Sequence, residues 1–195
     1  MIYIVRHGQT EVNKKKALQG RTNAPLNEEG RRQAIALGEY FKQQGILFEK
    51  VYASPLIRAV ETARLIVGEN VPIETDERLL EMDYGPYEGV DLEHPPEEII
   101  RFFSDFVHQP VPEGMEPLDE VVRRLGDFLC ESDFEVPSGK NVLISTHAIA
   151  MKGALEYLTP ESNGSYWSKY IPNCGVYSFE KCGAEFCEVH SMKRE

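Results

Sequence analysis

Short apolar runs alternate along the chain with stretches in which apolar residues return every three or four positions. Ile2 to Val5 is such a run and predicts a buried strand. After a polar loop, Asn27 is placed to cap a helix running to about Gln44, with Ala34, Leu37, Gly38 and Phe41 on one face. Val51 to Ala53 closes a second strand. Ser54 then offers a cap, Pro55 suits a first helical position, and Leu56, Ala59, Val60, Ala63 and Val67 form the inward stripe of a second helix. Val142 to Thr146 predicts a third strand leading directly into a helix from Ala148 to Leu158. Val176 to Phe179 and Phe186 to Val189 flank a Lys-Cys-Gly turn and read as a hairpin or edge strands. This alternation predicts an α/β fold, a three-layer αβα sandwich whose mainly parallel sheet is covered on both faces.

One stretch breaks the alternation. Residues 74–120 hold 15 acidic and two basic side chains, a net of −13, whereas residues 1–73 sum to +4 and residues 121–195 to −2. Pro95, Pro96, Pro110, Pro112 and Pro117 surround an amphipathic piece with Ile99, Ile100, Phe102, Phe103 and Phe106. Residues from about 90 to 120 therefore read as a small acidic cap inserted into a single domain, most of its carboxylates being a solvated face.

Length and charge narrow the classes. A chain of 195 residues, 42% hydrophobic and 27% charged, suits one globular domain. Its net charge of −11 supplies no field for nucleic acid or an anionic membrane, so neither is expected as a partner. No apolar run approaches the roughly 20 residues of a membrane span, and Met1 to Val5 is too short for a signal peptide, which leads to the expectation of a cytoplasmic protein. Cys130, Cys174, Cys182 and Cys187 lack C-x-x-C spacing and are read as reduced thiols.

In open α/β sheets, ligands bind beyond the carboxyl ends of the strands. Three such ends carry cations or imidazoles: Arg6-His7-Gly8 after the first strand, Arg58 in the first turn after the second, and Thr146-His147 after the third. Together they describe an anion site, to which the helix starts near Pro55 and Ala148 would add oriented N–H groups. Adjacent strand residues point to opposite faces, so Gly8 is expected to break the pleat and let Arg6 and His7 serve one site.

The run Arg6-His7-Gly8-Gln9-Thr10-Glu11-Val12-Asn13 resembles the R-H-G-(E/Q)-(S/T)-x-x-N opening of the histidine phosphatase superfamily, which contains cofactor-dependent phosphoglycerate mutases and many small phosphatases. Four more blocks follow in the family order: Gln19-Gly20; Pro25 to Gly30 with Gln33-Ala34; Ser54 to Ala63; and Leu79-Leu80-Glu81 with Gly85 and Glu88-Gly89. Ser145-Thr146-His147 completes the match. The chain is most similar to the small phosphatase branch, that of α-ribazole phosphatases and broad-specificity phosphatases. A departure is Ala148, where many members have glycine; alanine preserves its backbone N–H.

The resemblance implies a phosphoglycerate mutase-like fold and assigns roles. His7 resembles the nucleophile that forms a phosphohistidine and must be neutral to attack. Arg6, Arg58 and His147, with Asn13 and backbone around Gln19 and Gly20, would hold the peripheral oxygens. Glu81 resembles the general acid and base, its pKa raised by Asp83, Glu88 and partial burial. Tyr84 and Tyr87 either line the leaving-group pocket or pack beneath the cap. No metal or cofactor is implied: Glu81, Asp83, Glu88 and Asp91 lack the ordered pattern of an EF-hand loop. His94, His108 and His190 match no motif. Lys14 to Lys16 either draw anions inward or form a solvated loop.

Hydrolysis is preferred over mutase chemistry because 32 residues separate Glu81 from Gly114 and Arg101 is the sole Lys or Arg among them. A mutase must hold a second anion. On the same ground the acidic cap is expected to disfavour anionic leaving groups and to tolerate neutral or cationic ones, with Phe102, Phe103 and Phe106 either as contacts or as the cap's own core. The expected partner is a small phosphorylated metabolite. A phosphoglycerate mutase and a non-catalytic phospho-ligand module are the alternatives, and a homodimer is left open.

Overall fold

The computed structural model of the chain describes residues 1–131, 141–182 and 185–192, the side chains of residues 181–189 excepted. Its strands are β1 (Ile2–Arg6), β2 (Phe48–Ala53), β3 (Glu74–Thr75), β4 (Asn141–Thr146), β5 (Val176–Cys182) and β6 (Glu185–Met192). They form one sheet in the order β3-β2-β4-β1-β5-β6. The first four are parallel, and β5 and β6 add an antiparallel edge. The helices are α1 (Glu11–Lys14), α2 (Glu28–Gln43), α3 (Ile57–Val67), α4 (Glu97–Ser104), α5 (Leu118–Glu131) and α6 (Ala148–Leu158). Among the described residues no helix is long and apolar enough to cross a membrane.

The two-residue period of each strand divides the core. Tyr3, Val5, Val51, Ala53 and Leu143 share one cluster with Ala34, Leu37, Phe41 and Ala63 of α2 and α3. Ile4, Tyr52, Val142 and Ile144 take the opposite face and pack with Phe128, Leu129, Met151 and Leu155 of α5 and α6. Helices on both faces give the three-layer α/β/α sandwich read from the alternation. The cluster on the α5 and α6 face also takes in Ile99 and Phe102 of α4, which ties the acidic segment to the main core.

Local signals set most boundaries. The Asn27 side chain accepts the Gly30 N–H at 2.8 Å and starts α2 where expected. The second helix departs from expectation. Leu56 occupies the cap of α3 without a side-chain cap bond and the helix begins at Ile57, while Ser54 Oγ accepts the Leu56 N–H at 3.4 Å and lies 2.7 Å from His147 Nε2. Its buried face is Arg58, Ala59, Thr62, Ala63 and Ile66, while Val60 and Val67 are half-buried. The helix therefore turns a guanidinium and a hydroxyl inward. Helix α5 is an element that the strand and helix reading above omits, although Val121, Leu125, Phe128 and Leu129 carry a helical period and are all buried.

Neither Cys130 nor Cys174 forms a disulfide among the described residues. The side chains of Cys182 and Cys187 lie outside the described residues; in the backbone register of β5 and β6, Cys182 faces Glu185 and Cys187 faces Glu180.

Parallel pairing brings the functional ends together. Arg6 is level with Thr146, and Ala53 with Ser145. Pairing continues one residue further through His7 N–H to the Thr146 carbonyl (2.9 Å) and Ser54 N–H to the Ser145 carbonyl (3.0 Å). Residues just past three neighbouring strands thus open on one crevice.

Candidate active site

His7 emerges from β1 almost fully buried, at 3% exposure. Gly8 follows because α2 crosses so closely that a Cβ there would lie 2.4 Å from the Gly30 carbonyl oxygen. Its φ is not in the left-handed region, so close approach rather than a broken pleat is what requires glycine. The Gly8 N–H donates to Thr62 Oγ1 at 3.0 Å, and the Thr62 hydroxyl donates to the Arg58 carbonyl at 2.7 Å.

Hydrogen bonds assign both imidazoles. His7 Nδ1 lies 2.6 Å from the Gly8 carbonyl, which only accepts, so the proton sits on Nδ1 and the lone pair on Nε2. Arg58 Nε donates to His7 Nε2 and to His147 Nδ1, each at 3.2 Å. His147 Nε2 therefore carries its proton and faces Ser54 Oγ at 2.7 Å. The rings stand edge to face with centroids 5.1 Å apart. Arg58 is anchored further by the Thr22 carbonyl at 2.7 Å and the Gly20 carbonyl at 2.6 Å. Burial, and then the Arg58 charge, hold His7 and His147 well below the ordinary histidine range, which leaves both neutral at neutral pH. Burial brings Arg58 down to about 10, so it remains a cation there.

A cavity of about 370 Å³ opens on this cluster, lined among others by Arg6, His7, Asn13, Gln19, Glu81, Tyr84 and Ala148. Clefts of about 460 and 550 Å³ elsewhere contain neither imidazole and neither guanidinium. Arg6 Nη1 donates to the Ile171 carbonyl at 2.5 Å, but Arg6 Nε is buried without a partner among the described residues, as is Gln19 Nε2. Buried donors left unpaired are costly, on the order of 1–3 kcal/mol each, and an oxyanion would satisfy both. Gln19 Oε1 accepts from Thr10 Oγ1 and Asn13 Nδ2, which fixes that amide so that its donor remains free.

Several expectations are corrected here. The Gly20 N–H is not directed to the cavity; it donates to Glu88, and Gly20 contributes by holding Arg58 through its carbonyl. The start of α6 is occupied as well: Ile149 N–H and Ala150 N–H donate to Glu81 at 3.2 and 2.9 Å, and Met82 N–H adds a third bond at 3.0 Å. Those two N–H groups position a carboxyl group, while Ala148, one residue earlier, lines the cavity. At α3, the Ile57 N–H goes to Asn23 Oδ1. The neighbours invoked to tune Glu81 turn elsewhere, Glu88 to the N–H groups of Gly20, Arg21 and Thr22, and Asp83 to Gly85 N–H and Arg21. Glu81 itself is buried fully, not partly.

Of the residues left with two readings, Tyr84 lines the cavity and is pushed well above the ordinary tyrosine range by burial. Tyr87 bonds Glu98 instead. Phe102 is core, whereas Phe103 and Phe106 line the cavity. Lys14, Lys15 and Lys16 are exposed, and Lys16 pairs with Glu93. His94 and His108 pair with Asp91 and Asp105 on the surface.

The profile of the histidine phosphatase superfamily (branch 1) matches residues 2–192. The chain belongs to that superfamily. It is an enzyme of its phosphatase class, with the mixed α/β sheet of the phosphoglycerate mutase-like fold. It is 31% identical to putative phosphoserine phosphatase 2 of Hydrogenobacter thermophilus over 98% of this chain and 95% of that one. It is also 31% identical to a 2,3-bisphosphoglycerate-dependent phosphoglycerate mutase of Bradyrhizobium diazoefficiens, over 83% of each chain. Bacillus stearothermophilus YhfR superposes with a TM-score of 0.83 at 29% identity, covering 95% of this chain and 93% of that one.

The sequence reading missed Ser54 as the partner of His147, Thr62, and the cavity-lining Lys152, Trp167, Lys169 and Tyr170. Thr62 lies four residues after Arg58 and shares its helix face, and Lys152 lies four after Ala148, so helical spacing could have found both. The loop residues 167–170 carry no such signal.

Proposed function

We propose that this phosphatase hydrolyses small phosphomonoesters, without a metal, through a phosphohistidine on His7. The observation that carries the reading is the His7 hydrogen-bond pattern: Nδ1 lies against the Gly8 carbonyl, which assigns it the proton, and Nε2 accepts from Arg58 on a residue that lines the cavity. In the first step the Nε2 lone pair forms an N–P bond while the ester P–O bond breaks. Glu81, in its acid form, gives its proton to the departing oxygen. Arg58 and the unpartnered Arg6 Nε and Gln19 Nε2 frame a site for the peripheral oxygens, where a phosphoryl oxygen would take over the Arg58 Nε donor that His147 Nδ1 now accepts. In the second step water attacks phosphorus, its proton passes to the Glu81 carboxylate, and the N–P bond breaks to return phosphate and neutral His7. Asn13 fixes Gln19, Tyr84 walls the cavity, and Ala148 places the start of α6.

The test is hydrolysis of p-nitrophenyl phosphate in excess EDTA, with acid-labile and base-stable labelling of the protein on rapid quench. Turnover and label that both vanish in His7→Ala support the reading; turnover that needs a divalent ion defeats it. Mutase chemistry is the second reading, favoured by the mutase relatives and by cavity lysines outside the acidic segment. Release of free phosphate from 3-phosphoglycerate, rather than formation of its isomer, decides between them.

A further inference from the structure

Apart from Glu81, the acidic segment contributes no carboxylate to the lining of the cavity among the described residues. Its carboxylates serve backbone and surface partners: Glu116 pairs with Arg124 at 2.7 Å, Glu88 caps three N–H groups, and Asp91 and Asp105 bond histidines. Among the described residues that line the cavity, Glu81 is the sole carboxylate, whereas Arg6, Lys152 and Lys169 are cations. Of the carboxylates on which the expected repulsion of anionic leaving groups rests, Glu81 alone lines the cavity among the described residues, and three cations line it as well.

Lys152 occupies a built position. It projects from α6 between aromatic walls, with Nζ 5.1 Å from the centroid of Phe106, itself stacked on Trp167. One donor goes to the Trp167 carbonyl at 2.7 Å, and its other two have no hydrogen-bond partner among the described residues. Burial brings its ammonium down to about 8, with the Glu81 charge opposing that shift. Lys169 stands at the rim, exposed, with Nζ 3.9 Å from the Tyr166 ring centroid.

We propose that Lys152, assisted by Lys169, forms a second-anion subsite and that the preferred substrates are phosphomonoesters whose alcohol carries a carboxylate. This rests on the phosphatase reading above. Two free donors on one ammonium match the two oxygens of a carboxylate, and a monoanion balances a single buried cation where a second phosphate would exceed it. Lys152 acts here as a specificity residue and takes no part in bond making.

The experiment compares kcat/KM for 3-phosphoglycerate, glycerol 3-phosphate and 1,3-propanediol bisphosphate, which differ in bearing a carboxylate, a neutral group or a second phosphate. The full chain is expected to favour the carboxylate over the neutral ester by about 10–100-fold, mostly in KM, the range of hydrogen bonds to charged groups. Lys152→Met should bring that ratio to within about threefold and Lys152→Arg should restore most of it. Because the ratio is read within each protein, a general loss of activity does not imitate the result. Lys169→Gln, at an exposed position, gives a smaller fall and serves if Lys152→Met does not fold. A ratio near one in the unaltered protein, a ratio unchanged in Lys152→Met, or a preference for the bisphosphate overturns the inference. If hydrolysis of p-nitrophenyl phosphate is also independent of His7, the phosphatase reading fails with it; if it depends on His7, only the second-anion subsite falls.

Discussion

At the imidazole end of the cavity, polar side chains are bound to the protein at several points: Arg58 by two carbonyls and two ring nitrogens, His147 by Ser54 and Arg58, and Thr62 by Gly8 and Arg58. At the aromatic end, Phe103, Phe106 and Trp167 offer ring surfaces, and Lys152 has one hydrogen bond. The first end is assembled by β1, β2, β4 and the helices that follow β2 and β4; the second comes from α4, α6 and the loop at residues 167–170. The difference teaches that the imidazole end is fixed by several mutual hydrogen bonds, whereas the aromatic end is held by few polar contacts.

The comparison breaks most sharply at His7. His7→Ala is expected to lower kcat at least about 10⁴-fold with unchanged circular dichroism; activity within tenfold of the parent would move the chemistry away from the imidazole end. Glu81→Gln comes next. It should lower kcat/KM for alkyl phosphates by about 10²–10⁴-fold and for p-nitrophenyl phosphate much less, because nitrophenolate departs without a proton. Equal losses on both substrates would remove Glu81 from the acid role.

Stability should show the same asymmetry. Thr62→Val leaves the buried Gly8 N–H without an acceptor, and a urea titration is expected to show a loss of about 1–3 kcal/mol. An unchanged midpoint would mean that the two ends are equally tolerant.

Both imidazoles are depressed in the fold, so below about pH 6.5 the unfolded chain binds protons that the native state does not. Stability should therefore be fully present above that pH and fall as pH drops, by up to about 1.4 kcal/mol per pH unit for each ring. Unfolding free energies at pH 7.5 and 5.5 measure it, and a flat profile would indicate rings charged in the native state. The smallest effect belongs to the aromatic end: Phe103→Ala should cost no more than about fivefold in kcat/KM and leave the pH profile in place.

Much of this was legible because it is local. The period-2 runs of β1 and β4, the Asn27 cap, and the order of the motif blocks from Arg6 to His147 each depend on near neighbours in sequence, and they placed the sheet and five residues of the site. Ser54 shows where local reasoning stops: its hydroxyl looked like a helix cap and does accept the Leu56 N–H, but its shorter contact is with His147, 93 positions away in sequence.

Charge makes the same distinction more forcefully. Summing side chains along residues 74–120 gives a net of −13, a true statement about composition that says nothing about where those charges point. Chain order by itself indicated most of the strands and helices and the candidate site residues, because backbone periodicity and side-chain chemistry are properties of the residues. Only the packed structure decided that the carboxylates turn to N–H groups and arginines, that Glu81 sits against the start of α6, and that Lys152 lines the same cavity as His7. Electrostatic environment is a sum over distances in space, and folding alone sets those distances.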